Sequence, residues 1–536
     1  MTIDPLYHPY PSYRTPVYAN RGMVATSQPL AAQAGLEMLK RGGNAVDAAI
    51  ATAAALTVVE PSSNGIGGDA FVLVWQDGRL HGLNGSGPAP ATISIKALRD
   101  AGHDSIPAYG PIPVTVPGLP ASWATLSERF GKLSLEETLE PAIRYAEEGY
   151  PVSPVTAYHW DKAYRVYQNE LKEPHFRHWF ELFAPAGRSP KAGELWRSPD
   201  HAATLRDIGR SGARSFYEGE LAERIVGFFA SAGGYLTAED LRDFAPEWVD
   251  PIKASYRGYD VWELPPNGQG LVALLALSVL DGFDRFEAGS VETYHRQIEA
   301  MKLAFADGYR YITDPAGLER SPEELLGREY ADRRRALIGE EALLPEHGDP
   351  RSGGTVYLAA ADGEGNMVSF IQSNYMQFGS GLVVPGTGIA LQNRGKDFSL
   401  DEGHPNALKP GKRTYHTIIP GFLTKDGAAV GPFGVMGGVM QPQGHVQTIM
   451  NTIDFHLHPQ AALDAPRWQW TGGRTVLVEP QFPAFAAQAL ARKGHDVRYA
   501  LESGSFGRGQ IIWRDRDTGV LVGGTDSRAD GVVASW

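Results

Sequence analysis

Gly353-Gly354-Thr355-Val356-Tyr357-Leu358-Ala359-Ala360-Ala361 is the stretch whose reading decides the fold. From Thr355 the residues are β-branched, aromatic or apolar, and they run into Asp362-Gly363-Glu364-Gly365-Asn366. A second apolar run, Met367-Val368-Ser369-Phe370-Ile371-Gln372-Ser373, follows at once. Two short apolar runs around a glycine-rich turn predict a β-hairpin. Thr355 then has two readings. In one it is a β-branched residue that opens a strand after a flexible glycine pair. In the other, Gly354-Thr355 is a self-cleavage point. A threonine freed at its own N-terminus carries nucleophile and base on one residue. Its α-amine titrates at about pKa 7.7–8.0, so it can take the hydroxyl proton without a histidine.

On the N-terminal side, Gly22-Met23-Val24-Ala25-Thr26-Ser27 predicts a strand, with Ser27 as N-cap and Pro29 in the first turn of a helix. Asn44 caps a second helix over residues 45–59, apolar nearly all round and so expected to be buried, and Glu60-Pro61 ends it. The run Ser62-Ser63-Asn64-Gly65-Ile66-Gly67-Gly68-Asp69 mimics a dinucleotide fingerprint only weakly, because it follows a helix and opens none. Residues 71–75 and 80–83 predict a hairpin around Asp77-Gly78. Residues 123–303 read as mainly helical, interrupted by an irregular aromatic stretch over 158–196. Within and beyond them, 271–280 and 295–311 predict long helices. Residues 319–351 are dense in charge and read as a surface segment leading to the glycine pair. Past the hairpin, 389–391 and 428–436 predict strands, and 443–453 and 484–493 helices.

Composition narrows the function classes. A chain of 536 residues is ample for a large core, and its net charge of -13 argues against a nucleic-acid partner and gives no sign of a membrane-binding patch. No cysteine is present, which excludes thiolate chemistry and Cys-based metal sites. Residues 1–20 lack a basic start and an apolar core of signal-peptide type. The most apolar stretch, 45–59, falls short of the ~20 residues a bilayer needs. The expectation is a cytoplasmic protein without cofactor or metal, since the close pair His456 and His458 has no evident further ligand.

The hairpin stretch resembles the γ-glutamyltranspeptidase family of N-terminal-nucleophile hydrolases, whose pattern here is Thr-Thr-His-Tyr-Ser-Val-Val-Asp. Placing Asp362 on its last residue puts Thr355 on the nucleophile without a gap. Residues 40–49, 58–61, 65–68, 114–118, Asp314-Pro315 and 463–468 resemble the family as well. The resemblance implies a four-layer αββα fold in the α/β (α+β) class. It implies one catalytic unit made of a large subunit, 1–354, and a small one, 355–536, from one precursor, with a dimer of these left open. It places Thr355 as nucleophile, Ser373 as its support and the Gly437-Gly438 pair as the oxyanion hole. His416 and Thr417 fall where the family has two serines near the substrate.

The departures bear on substrate. The family's carboxylate-binding arginine is replaced by Asn84, a neighbouring asparagine by Tyr375 and a glutamine by Arg394, while an amine-binding aspartate persists as Asp397. Losing a bidentate arginine removes a strong, geometry-specific contact. The sequence therefore looks most like the oxamate-amidohydrolase branch, acting on a small carboxylate-bearing amide. γ-Glutamyl hydrolysis or transfer, cephalosporin acylase-like hydrolysis and a non-catalytic binding relative are the alternatives.

Overall fold

The computed structural model describes residues 14–344 and 354–536; Gly353, most of the N-terminal stretch and the end of the charged segment lie outside the described residues. The predicted hairpin is present. Strand Gly354–Asp362 pairs antiparallel with Met367–Tyr375, and on its other edge with Gly22–Thr26. These belong to an antiparallel seven-stranded sheet ordered Val532–Ser535, Gly22–Thr26, Gly354–Asp362, Met367–Tyr375, Asp69–Gln76, Arg79–Asn84, Glu247–Val249. A second seven-stranded antiparallel sheet runs Val17–Ala19, Leu521–Thr525, Arg508–Arg514, Ala428–Met436, Gly421–Lys425, Tyr259–Glu263, Ile252–Tyr256.

Strand periodicity explains the layers. Val356, Leu358 and Ala360 share a core with Val72, Val368 and the helices Pro29–Lys40 and Ala45–Val59. The alternate residues Tyr357, Ala359 and Ala361 share a different core with Phe71, Ile371, and Phe422, Met436 and Ile512 of the second sheet. That sheet's outer residues, among them Leu423, Phe433 and Ile511, pack under the helices Gly270–Asp281, Val291–Tyr311 and Met440–Ile453. The order is helices, sheet, sheet, helices: an αββα sandwich of mixed α/β class. Among the described residues no helix is long and apolar enough to cross a membrane.

Some expectations are corrected. Gln28, not Ser27, caps the first helix, accepting from the Leu30 and Ala31 amides, while Ser27 donates to Glu60. The middle of the chain is less helical than predicted, because Glu247–Val249, Ile252–Tyr256 and Tyr259–Glu263 are short edge or near-edge strands without strong alternation. The aromatic stretch is more helical, with Pro154–Glu170 and Arg177–Phe183 packing their rings together. Residues 389–391 form only single bridges, Val383 to Ala390 and Gly67 to Leu391.

Asn44 caps the buried helix as predicted, in a reciprocal box with Asp47. The turn of the central hairpin fastens to the same point. Asp362 Oδ2 accepts from the Ala45 amide at 3.0 Å and from Asn366 Nδ2 at 2.9 Å. Asp362→Ala would leave these donors unpaired at a helix start. It is expected to lower unfolding stability by about 1.5–3 kcal/mol, measured as a shift in the urea midpoint at unchanged slope.

Candidate active site

Thr355 stands second in the central strand, where the pairing register slips. Gly354 lies opposite Tyr375 and Val356 opposite Gln372, so Ser373 and Asn374 together face Thr355. Such a bulge re-aims a side chain at a strand end. Thr355 Oγ1 donates to Ser373 Oγ at 3.2 Å, and Ser373 Oγ also accepts from the Tyr375 amide at 2.7 Å. Thr355 is buried and Ser373 fully so. A hydroxyl with an ordinary alcohol's basicity cannot serve as base here. Ser373 fixes the rotamer of the threonine instead.

The next strand carries Asp69 directly opposite Ser373, so both project from one face. The glycine-rich run before it allows close approach: a Cβ at Gly68 would lie 2.7 Å from the Ser373 carbonyl oxygen. Asp69 Oδ2 accepts from His416 Nε2 at 2.6 Å and from Arg394 Nε at 3.3 Å. Arg394 Nη1 donates to Thr417 Oγ1 at 2.8 Å, and the guanidinium carbon lies 4.4 Å from the centre of the Tyr375 ring. The sequence places Arg394 near Asp397, and they do share one 3₁₀ turn, Arg394–Asp397. Yet the ion pair of Arg394 is with Asp69, while Asp397 accepts from the Tyr375 hydroxyl. Tyr375 holds φ +73°, a conformation that a bulky residue takes at a cost of ~1–3 kcal/mol.

Two expected pocket residues lie one layer back. His416 is fully buried and stacks on Phe71 with ring centres 4.7 Å apart. Burial, then the Arg394 charge, pushes it down to about 4. It is a neutral imidazole at pH 7, with the Ile418 amide donating to Nδ1 and Nε2–H facing Asp69. Burial alone would raise the Asp69 carboxyl, but His416 and Arg394 outweigh it and hold it below the usual range. Asn84 Nδ2 donates to Asn267 Oδ1 at 2.9 Å, and Asn84 Oδ1 accepts from Ser86, so its amide braces the loop that follows it.

Gly437 and Gly438 follow the strand Ala428–Met436 with φ of +134° and +61°, which a side chain would resist. They precede the helix Met440–Ile453, where amide N–H groups favour negative charge. Three residues before Gly437, a Cβ at Gly434 would meet the Tyr357 ring at 2.5 Å, so this strand packs across the one that carries Thr355. Gln269, which sequence reasoning did not single out, joins the two halves. Its Nε2 donates to the carbonyls of Gly438 at 2.9 Å and Thr417 at 2.6 Å. Asp69 was missed too. The only signals were a polar residue closing each Gly- or Pro-rich loop. Outside this group, His458 caps the helix Pro459–Asp464. His295, Glu299 and His495 offer ligand atoms within 4.8 Å of one another, but the Lys302 ammonium is already 2.7 Å from Glu299 Oε1.

A cleft of about 1280 Å³ adjoins the site; Tyr375, Asp397 and Thr417 line it, as do Leu337 and Leu344. An αββα sandwich with a buried threonine at the start of a central strand fits the expected class of N-terminal-nucleophile hydrolases. The pattern of the gamma-glutamyltranspeptidase family matches residues 31–536. The glutathione hydrolase-like YwrD proenzyme of Bacillus subtilis is 38% identical over 530 residues, 96% of this chain and 99% of that protein. The oxamate amidohydrolase proenzyme of Klebsiella pneumoniae is 35% identical over 534 residues, 97% of this chain and 99% of that protein. The crystal structure of cephalosporin acylase from Bacillus halodurans matches with a TM-score of 0.97 at 63% identity, covering 100% of this chain and 99% of that one. The chain belongs to the gamma-glutamyltranspeptidase family and is an amide-cleaving enzyme.

The neutral His416 sets a pH dependence. Its folded value near 4 lies below an unfolded value of about 6.5, so the unfolded chain binds more protons between them. Its contribution is complete above about pH 6.5 and is lost as pH falls towards 4. His416→Gln should reduce the proton uptake on unfolding at pH 5 by about one, read from the slope of stability against pH.

Proposed function

We propose that this chain is a proenzyme that cuts itself between Gly354 and Thr355 and then hydrolyses a carboxylate-bearing amide through Thr355. The observation that carries the reading is the buried Thr355 hydroxyl, held by Ser373 at the bulge. In processing, Thr355 Oγ1 attacks the Gly354 carbonyl carbon and the Gly354–Thr355 C–N bond breaks, leaving an ester and a free α-amine. Water then hydrolyses the ester, releasing fragments 1–354 and 355–536. In turnover the α-amine takes the hydroxyl proton as the hydroxyl oxygen attacks the substrate amide carbon, and it passes that proton to the leaving nitrogen as the C–N bond breaks; water then attacks the Thr355 ester, releasing the acid and restoring the hydroxyl. The amides of Gly437 and Gly438 are the donors for the oxyanion.

Arg394 is the cation for the substrate carboxylate, which suits an amide as short as oxamate. The relative named oxamate amidohydrolase supports that choice. A second reading, hydrolysis of a longer acyl amide, is favoured by the size of the adjoining cleft and by the likeness to a structure titled cephalosporin acylase. Without an arginine at Asn84, γ-glutamyl transfer should be weak.

The purified protein is expected to run as two fragments under denaturing conditions, with Thr355 first in the smaller by N-terminal sequencing. Thr355→Ala should stay in one piece and be inactive, while chelators leave the wild type active. An intact, fully active single chain would sink the proposal. Arg394→Ala should raise KM for the anionic amide by the equivalent of ~1.5–3 kcal/mol. If a γ-glutamyl anilide is the better substrate by kcat/KM, the choice of substrate is wrong.

A further inference from the structure

Arg394 is held in an unusual way for a buried arginine. Its side chain is 1% exposed, and only its Nε edge meets Asp69. An arginine neutralised by a carboxylate normally takes both oxygens with a two-pronged fork. Here Asp69 Oδ2 is shared between Arg394 Nε and His416 Nε2, and Oδ1 has no hydrogen-bond partner among the described residues. Arg394 Nη1 is taken by Thr417, and Nη2 has no hydrogen-bond partner among the described residues. A buried donor on a charged group is costly to leave unmade. The guanidinium therefore keeps one pair of donors in reserve beside the Tyr375 ring.

We propose that Asp69 and His416 are positioning residues, which grip Arg394 by its Nε edge so that Nη2 is presented to a carboxylate on the acyl part of the substrate. The grip is built from the sheet outward. Phe71 and the Ile418 amide fix the His416 ring, so that its Nε2–H points at Asp69. Asp69 lies opposite Ser373, which holds Thr355. One register thus sets both the nucleophile and the anion anchor. The ligand is an amide whose acyl group ends in a carboxylate close to the scissile bond. The kinetic arm of the test rests on the proposed function; a binding arm does not.

The test uses the matured protein with oxamate and its neutral counterpart oxamide as substrates, and oxalate as a binding probe followed by calorimetry. Asp69→Asn should lower the oxamate-to-oxamide ratio of kcat/KM by about tenfold, through KM, and weaken oxalate by a similar factor. Asp69→Asn added to Arg394→Ala should cost little more than Arg394→Ala alone, because both act through one guanidinium. His416→Phe, which keeps a ring against Phe71 but loses the donor, should move the ratio in the same direction and serves if Asp69→Asn does not fold. A ratio unmoved by these changes, full additivity in the double variant, or a wild type indifferent to the carboxylate overturns the inference. Oxalate binding that depends on Asp69, in a protein that hydrolyses neither amide, would support the inference while removing the proposed function. Hydrolysis of oxamate with no role for Asp69 does the reverse.

Discussion

The strand Gly354–Asp362 is hydrogen-bonded on both edges and buried on both faces, and the rest of the site depends on that confinement. Its register cannot drift. A slip of one residue would turn Tyr357, Ala359 and Ala361 towards the helices and bring Val356 and Leu358 into the space between the sheets. At the far end, Asp362 ties the hairpin turn to the first amide of the buried helix Ala45–Val59. Both ends are therefore fixed, and the position of Thr355 follows from the position of Asp362. A displacement of about 1 Å at a nucleophile can cost about a hundredfold in rate. A cut at Gly354–Thr355 would leave the ladders on either side of this strand in place from Val356 onward.

At the Thr355 end the inner layer changes character. Along most of its length it is apolar, with Phe71, Ile371, Phe422 and Met436. At the mouth it holds a carboxylate, a guanidinium and an imidazole with almost no exposure. Strands cannot supply enough donors for such a group, because their backbone is already paired. The donors come from the 3₁₀ turn Arg394–Asp397, from the segment 414–418 and from the loop holding Asn267 and Gln269. Those loops interlock: the His416 amide donates to the Asn267 carbonyl, and the Gln269 amide to that of His416. Gly268 forms the bridge to His416 between them, and a Cβ there would lie 2.7 Å from the Phe71 ring. Gly438, after the strand Ala428–Met436, is drawn into the same lattice through Gln269.

What the sequence made legible follows from how local each signal is. The central hairpin, the Asn44 cap and the nearly all-apolar helix Ala45–Val59 are readable because each rests on adjacent residues. The edge strands 247–263 were not, since their half-buried pattern competes with helical spacing. In the site, Thr355 and Ser373 were placed through the family pattern, and the structure brings them to 3.2 Å. Asp69 escaped notice because its meaning lies in His416 and Arg394, more than 300 residues away in sequence. For the same reason His416 reads from sequence as a pocket residue, whereas it stands behind Arg394.

The site then divides into two parts with different physics. The buried end offers Arg394 in a fixed pose, and a charge-assisted contact there depends steeply on geometry. The adjoining cleft is wide, and several of its charges are already matched: Arg334 with Asp307, and Arg310 with Glu319. A balanced, roomy cleft tolerates varied groups and discriminates weakly between them, since partly exposed pairs contribute little. Selectivity should therefore reside at the buried end. Relatives with names as different as glutathione hydrolase-like, oxamate amidohydrolase and cephalosporin acylase are consistent with such a division. With Arg394 as the proposed anion anchor and Thr355 as the proposed nucleophile, changing which residue carries the cation would alter the recognised acid without disturbing the strand Gly354–Asp362.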